Sequence, residues 1–104
     1  MSKLECNGYI IVFLLSKCYS DFFKELDNAK KASDEIEAPK ILLAKIKLVK
    51  GLIESTKISH AGLCEVTGHF GMMRVDFTRR YRESGFAEVY ALTDIMAEDL
   101  EKRK

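Results

Sequence analysis

The chain has 104 residues, of which 47% are hydrophobic and 32% are charged. That length suits one domain around one hydrophobic core, and the composition is typical of a folded domain rather than a disordered chain. A single proline and six glycines supply too few turns for a sandwich or barrel of many short strands. We therefore predict one domain over residues 1–104.

Opposite charges nearly cancel over the whole chain, with 17 basic and 16 acidic residues and a net charge of +1. The distribution is uneven, because residues 40–82 hold nine basic and three acidic side chains between two acidic flanks. This pattern indicates a local positive surface suited to a polyanion. The alternative is a set of solvated helix faces on which the charges have no partner.

The three cysteines, Cys6, Cys18 and Cys64, are odd in number and contain no C-x-x-C pair. A disulfide framework or zinc ribbon is therefore not expected, and the pattern favours a reducing cytoplasm. The apolar run over residues 9–15 is far shorter than the roughly 20 residues that cross a bilayer. We predict that this run lies in the core and that the chain has no membrane segment.

A long amphipathic helix is predicted from Gly8 to Lys31, with Asn7 as its N-cap. Its apolar residues recur three and four positions apart; they are Ile11, Leu14, Leu15, Cys18, Phe22 and Leu26. The polar residues 33–38 precede Pro39, which disfavours helix at the residue before it. We therefore predict that residues 1–38 form the first helix and a connection.

Residues 39–104 are predicted to form a helix-turn-helix-like region. A second helix spans residues 39–56, a third begins after the N-cap Ser59, and residues 68–71 form a turn. A fourth helix spans residues 72–83 and closes at Ser84 and Gly85. Residues 86–100 fit either one helical stripe, or a short strand followed by a helix from Asp94. The fold class is thus mostly α, with four to five helices and at most one short or degenerate β-wing.

The fourth predicted helix carries the strongest functional pattern. Arg74, Thr78 and Arg82 recur at intervals of four, about 100° around the helix from the apolar line, and Arg79 lies near them. Arginines on the outer face of such a helix can pair with guanine in the major groove, while other basic groups contact phosphates. We expect these four residues to bind double-stranded DNA. Further backbone contacts are expected from Lys47, Lys50 and Lys57.

Residues 39–104 also resemble winged-helix transcription regulators of the multiple-antibiotic-resistance regulator type. The first helix of the motif is matched by residues 63–68, with the sequence LCEVTG, and the end of a recognition helix by residues 79–86, RRYRESGF. The closing strand and helix are matched by residues 89–93, VYALT, and 94–100, DIMAEDL. The resemblance implies a DNA-binding dimer whose terminal helices form the dimer contact. Two features depart from it: residues 86–92 have no turn for a two-stranded wing, and Asp76 places an acid in the recognition helix.

A second hypothesis is an all-helical protein-interaction module, such as an inhibitor, immunity-type or adaptor protein, with no nucleic-acid binding. It rests on residues 9–15, whose apolar side chains occupy more sides of the predicted helix than one buried stripe requires. A homodimer is expected under both hypotheses. We predict no cofactor, and no metal site unless the fold brings His60, Cys64, His69 and Cys18 together. No catalytic set is recognised, so an enzyme is not expected.

Overall fold

A computed structural model of the protein describes residues 4–28, 32–82 and 86–104. In these ranges the chain forms two short strands and four helices. In chain order they are β1 (Leu4–Glu5), α1 (Gly8–Asn28), α2 (Ala32–Ser55), β2 (Thr56–Lys57), α3 (His60–Arg80) and α4 (Ala87–Arg103). The predicted mostly α fold is confirmed. None of the helices in the described ranges is both long and apolar enough to cross a membrane.

Helix α1 begins and packs as its periodicity predicts. The backbone N–H of Tyr9 donates to the side-chain oxygen of Asn7 over 2.8 Å, so Asn7 satisfies one of the unpaired donors of the first turn. Ile11 and Leu15 are completely buried, and Cys18 and Phe22 continue the same face. The first helix is therefore held by a cap at its start and by one apolar stripe along its length.

Helix α2 begins before the predicted position. Residues 33–38 are helical, and Pro39 lies inside the helix, so the predicted connection over these residues is wrong. A proline there removes one backbone hydrogen bond. However, Ala38 is buried at 3% exposure and continues in line with Leu42 and Ile46. Burial of this stripe offsets the lost hydrogen bond, and the chain stays helical through Pro39.

The predicted helix-turn-helix does not form, because α3 is continuous from His60 to Arg80. Ser59 does cap it, since its hydroxyl accepts from the N–H of Gly62 over 3.1 Å. Phe70 lies in the middle of the predicted turn and is only 1% exposed. Gly68 and Gly71 each cost about 1 kcal/mol inside a helix. A continuous helix places Phe70 and Phe77 on one buried face, and burial of each ring contributes about 1.5–3 kcal/mol. Tertiary packing thus overrides the local turn signal.

The C-terminal segment, for which the sequence allowed either one helix or a strand followed by a helix, forms the single helix α4. Residues 87–103 are helical, and Val89, Thr93, Met96 and Leu100 form their buried face. No strand of a β-wing is present among residues 86–104. The predicted helix end at Ser84 and Gly85 lies outside the described residues. The short strand pair is instead β1 with β2, which pair in parallel with Leu4 opposite Thr56 and Glu5 opposite Lys57.

The four helices form an elongated bundle of 47 × 23 × 19 Å. Helices α1 and α4 each pack against both α2 and α3. Helix α1 runs parallel to α3, because Gly8 lies against Gly62 at one end and Phe22 meets Phe77 at the other, with ring centroids 5.4 Å apart. Helices α2 and α4 run in the opposite direction. This up-down-up-down arrangement buries one continuous core along the bundle.

The end of the bundle opposite β1 is closed by an aromatic cluster. Phe77 of α3 lies at its centre, with ring centroids 5.4–5.6 Å from five other rings. Those rings belong to Tyr19, Phe22, Tyr81, Phe86 and Tyr90. Tilted and edge-to-face pairs at these distances are the favourable aromatic geometries. The cluster fixes α1, α3 and the start of α4 relative to one another.

Candidate functional site

The structure places the predicted DNA-contacting residues of α3 on two different sides of the helix. Arg74 and Thr78 share one side of α3, which faces α4 and lines a cleft between the two helices. Arg82 lines the same cleft, but α3 ends at Arg80 and Tyr81 is extended, so the prediction that Arg82 lies on this helix is wrong. Arg79 is exposed and lies two positions from the buried Phe77, about 200° around the helix from it. The three residues at intervals of four therefore stay together, and Arg79 separates from them.

Arg74 is not free to contact an external ligand in this arrangement. Its guanidinium donates to the carboxylate of Asp94 on α4, and its Cζ atom lies 5.9 Å from the ring centroid of Phe70. Only 29% of the Arg74 side chain is exposed. Arg74 thus joins α3 to α4, which is a structural contact that the sequence does not reveal.

The predicted lysines lie elsewhere on the molecule. Lys50 pairs with Glu54 within α2, while Lys47 and Lys57 are exposed. Lys57 belongs to β2 and precedes α3, whereas Arg82 follows the other end of that helix. A helix of 21 residues is about 30 Å long. The basic residues are therefore spread along the bundle rather than gathered on one helix face.

Two further contacts link side chains one turn apart on the surface of α3. Arg80 pairs with Asp76 over 3.4 Å and its guanidinium lies 4.5 Å above the ring of Phe23. His69 lies 3.4 Å from the carboxylate of Glu65. Exposed pairs one turn apart contribute only about 0.3–0.5 kcal/mol each. These contacts nonetheless reduce the positive charge that α3 offers to a polyanion.

Three exposed large apolar side chains lie close together at the start of α1. Tyr9, Ile10 and Phe13 are 64%, 51% and 64% exposed, although Ile11 and Leu15 between and beside them are completely buried. We call Tyr9, Ile10 and Phe13 the α1 apolar patch. The seven-residue apolar run thus supplies both a core face and an outer face. Apolar and aromatic groups exposed together on one helix are typical of protein-interaction surfaces.

Rigid contacts hold the α1 apolar patch in place. The N–H of Cys6 donates to the carbonyl of Lys57 over 2.8 Å, which extends the β1–β2 pairing to the start of α1. The helix then crosses α3 where two glycines meet. A Cβ atom on Gly8 would lie 2.6 Å from the Cα of Gly62. Only glycine allows so close an approach, and sequence reasoning did not find this crossing.

The cysteine and histidine residues do not assemble into a metal site within the described ranges, where no group of three or more metal-ligating side chains occurs. His60 and Cys64 lie on one turn of α3, with 3.7 Å between Nε2 and Sγ. Cys18 is buried in the core, and burial raises the pKa of its thiol. A buried thiol with a raised pKa is unreactive, which fits a packing role.

Two lysines influence the one carboxylate of α1 whose pKa is shifted. Desolvation opposes ionisation of Asp21, but the charges of Lys17 and Lys45 outweigh it and lower the pKa of the carboxyl. The Lys17 ammonium lies 3.4 Å away within α1, and that of Lys45 lies 3.5 Å away on α2. These contacts join the first two helices.

No family model matches the chain, and no curated protein or solved structure matches it either. The winged-helix relationship inferred from residues 63–100 therefore stays a prediction. Function has to be inferred from the α1 apolar patch, the basic residues and the α3–α4 cleft themselves.

Proposed function

We propose that the protein is a helical protein-interaction module that forms a homodimer through the α1 apolar patch. The observation that carries this proposal is the exposure of Tyr9 and Phe13, each 64% accessible, on a helix whose inner face is fully buried. Aromatic side chains are enriched at the centres of protein interfaces. A partner that covers both rings would remove this apolar surface from water.

Helical geometry favours a second copy as the partner. Tyr9, Phe13 and Lys17 follow one another at intervals of four, so they lie on one side of α1. When two copies of α1 meet antiparallel with Phe13 opposite Phe13, Tyr9 of each copy faces Lys17 of the other. The Lys17 side chain is 61% exposed and pairs with Asp21 over 3.4 Å; in the dimer its ammonium would exchange this surface pair for the face of a tyrosine ring, a favourable cation–π contact. The patch is thus complementary to itself, as a two-fold interface requires.

Sedimentation velocity over a wide range of concentrations tests this proposal. We expect a concentration-dependent dimer for the natural sequence and a monomer for Phe13→Gln, with unchanged thermal unfolding of the monomer because the residue is exposed. Met72→Gln is the matched control, since Met72 is 72% exposed but lies on α3, and it should dimerise normally. A natural chain that stays monomeric, or a Phe13→Gln chain that dimerises like the control, would contradict the proposal.

Duplex DNA binding is the second candidate, and the exposure of Arg79 and Arg82 favours it. Neither guanidinium has an acidic partner among the described residues. On this hypothesis Thr78, Arg79 and Arg82 contact phosphates, and Lys47 and Lys57 add to the positive potential. Affinity for random duplex should then fall steeply with salt, and the double variant Arg79→Ala, Arg82→Ala should bind weakly. Equal binding by that variant would remove this candidate.

Both candidates assign a binding role and no chemistry to the protein. We also propose a reducing compartment, the cytoplasm, as its location. Cys6, Cys18 and Cys64 are all free thiols, and a chain that folds with unpaired thiols, one of them exposed, suits an environment in which thiols stay reduced.

A further inference from the structure

The cleft between α3 and α4 has the features of a small-molecule site, and neither proposed role uses it. Its volume is about 320 Å³, at the lower end of the roughly 300–1,000 Å³ typical of ligand pockets. Arg74, Thr78 and Arg82 line one wall, and Tyr90 and Asp94 line the other. The rings of the aromatic cluster close its base. Charged groups thus surround an opening with an apolar floor.

An unpaired donor lies against this cleft, since it belongs to Tyr90, one of the lining residues. The hydroxyl of Tyr90 is buried and has no hydrogen-bond partner among the described residues. Burial also raises the pKa of this hydroxyl, and the nearby Arg82 only partly offsets the shift, so Tyr90 keeps its proton at neutral pH. Its neighbour Thr93 is not available, because its hydroxyl donates to the carbonyl of Val89 over 2.9 Å. A buried polar group without a hydrogen-bond partner is unfavourable, and an acceptor on a ligand would satisfy it.

The two arginines of the cleft differ in their partners. Arg74 is neutralised by Asp94, but Arg82 has no carboxylate partner among the described residues. The Asp94 side chain is 64% exposed, so it lies at the mouth of the cleft rather than on its floor. The positive charge of Arg82 is therefore available to a ligand, whereas that of Arg74 is paired with Asp94 at the entrance.

We propose that the α3–α4 cleft binds a small organic carboxylate with a flat apolar body. The carboxylate would accept hydrogen bonds from the guanidinium of Arg82 and the hydroxyl of Tyr90, since arginine binds carboxylates through two parallel N–H groups. The body of the ligand would lie over the aromatic floor of the cleft, where the Tyr90 ring is half-buried.

A carboxylate fits this cleft better than inorganic phosphate does. Phosphate carries up to two charges and accepts hydrogen bonds on every side, whereas the floor offers aromatic rings and few donors. Asp94 also repels a second negative charge. A ligand with one charged end and one apolar end matches this lining, because the charged end would contact the arginine and the apolar end the aromatic rings.

Titration with benzoate, followed by shifts of the backbone amide resonances in nuclear magnetic resonance spectra, tests this site. We expect Arg82→Gln to weaken benzoate binding by about tenfold or more, since a hydrogen bond to a charged group is lost. Arg79→Gln is the matched control: it removes an exposed arginine from the same helix, outside the cleft, and should leave benzoate affinity unchanged. Tyr90→Phe should weaken binding less than Arg82→Gln does.

A variant that is expected to bind benzoate more tightly controls for folding defects, because a misfolded chain would not gain affinity. Asp94→Asn removes the acid at the entrance and releases Arg74, so benzoate should bind more tightly. The proposal is overturned if benzoate does not shift the residues of the cleft, or if benzyl alcohol or phosphate binds as tightly as benzoate. Equal weakening by Arg79→Gln and Arg82→Gln would also overturn it, because that result indicates attraction to surface charge alone.

Discussion

Gly8 and Gly51 are a matched pair of glycines at which substitution by alanine should have opposite effects. A Cβ on Gly8 would lie 2.6 Å from both the Cα and the carbonyl oxygen of Gly62. Carbon atoms in contact are normally about 3.5–4.0 Å apart, so the backbones of α1 and α3 would have to separate by about 1 Å. Overpacking of this kind costs about 1–3 kcal/mol.

Gly51 lies inside α2 with open space around it, since a Cβ there meets nothing within 4 Å. Alanine at an exposed position inside a helix is favoured over glycine by about 0.8–1 kcal/mol. For a domain of this size, 1 kcal/mol shifts the melting temperature by about 4–8 °C. We therefore expect Gly8→Ala to lower the melting temperature by about 4 °C or more, and Gly51→Ala to raise it by about 4 °C.

Thermal unfolding of the three chains, followed by circular dichroism at one protein concentration, measures both shifts. A Gly8→Ala chain that melts at or above the temperature of the natural chain would refute the close crossing of α1 and α3 at Gly62. A Gly51→Ala chain that melts lower would refute the exposure of this face of α2.

Two further predictions concern the aromatic end of the bundle. Phe77→Ala should lower the free energy of unfolding by about 3–5 kcal/mol, because Phe77 is 2% exposed and contacts five rings. Urea unfolding measures this free energy, and a decrease below about 1 kcal/mol would contradict the packing described. Burial raises the pKa of the Tyr19 hydroxyl in the folded chain. Above about pH 10 the unfolded chain therefore loses this proton while the folded chain keeps it. As a result, the free energy of unfolding falls as the pH rises. Urea unfolding at neutral and alkaline pH should show a shallower fall for Tyr19→Phe than for the natural chain, and equal slopes would refute this assignment.

Much of the fold follows from local periodicity. The stripe through Ile11, Leu15 and Phe22 predicts α1 and its inner face, and Asn7 and Ser59 mark helix starts as cap residues do. The predictions that were wrong placed non-helical structure at residues 33–38, just before Pro39, and at residues 68–71. Proline and glycine are local signals for a break, and in both places a buried residue nearby, Ala38 or Phe70, makes the continued helix more favourable.

The candidate sites depend on contacts between residues far apart in the sequence. The interval of Arg74 and Thr78 correctly places them on one side of α3, but Arg82 lies beyond the end of the helix. Only the tertiary structure shows that all three line a cleft with α4. The partner Asp94 of Arg74 is 20 residues away, and no local pattern predicts it. Likewise, the surplus of apolar residues in the run 9–15 is visible in the sequence, but which of them stay exposed depends on the helices packed against α1.

The sequence by itself determined that the chain is helical, where most apolar faces lie, and that one helix has more apolar surface than a single seam buries. These features depend on neighbours within a few positions, because an α-helix repeats every 3.6 residues. Only the tertiary structure decided that α3 is continuous, that Gly8 meets Gly62, and that Tyr90 and Arg82 share a cleft. These outcomes depend on which helices cover one another, since burial against a distant segment outweighs a local preference of about 1 kcal/mol.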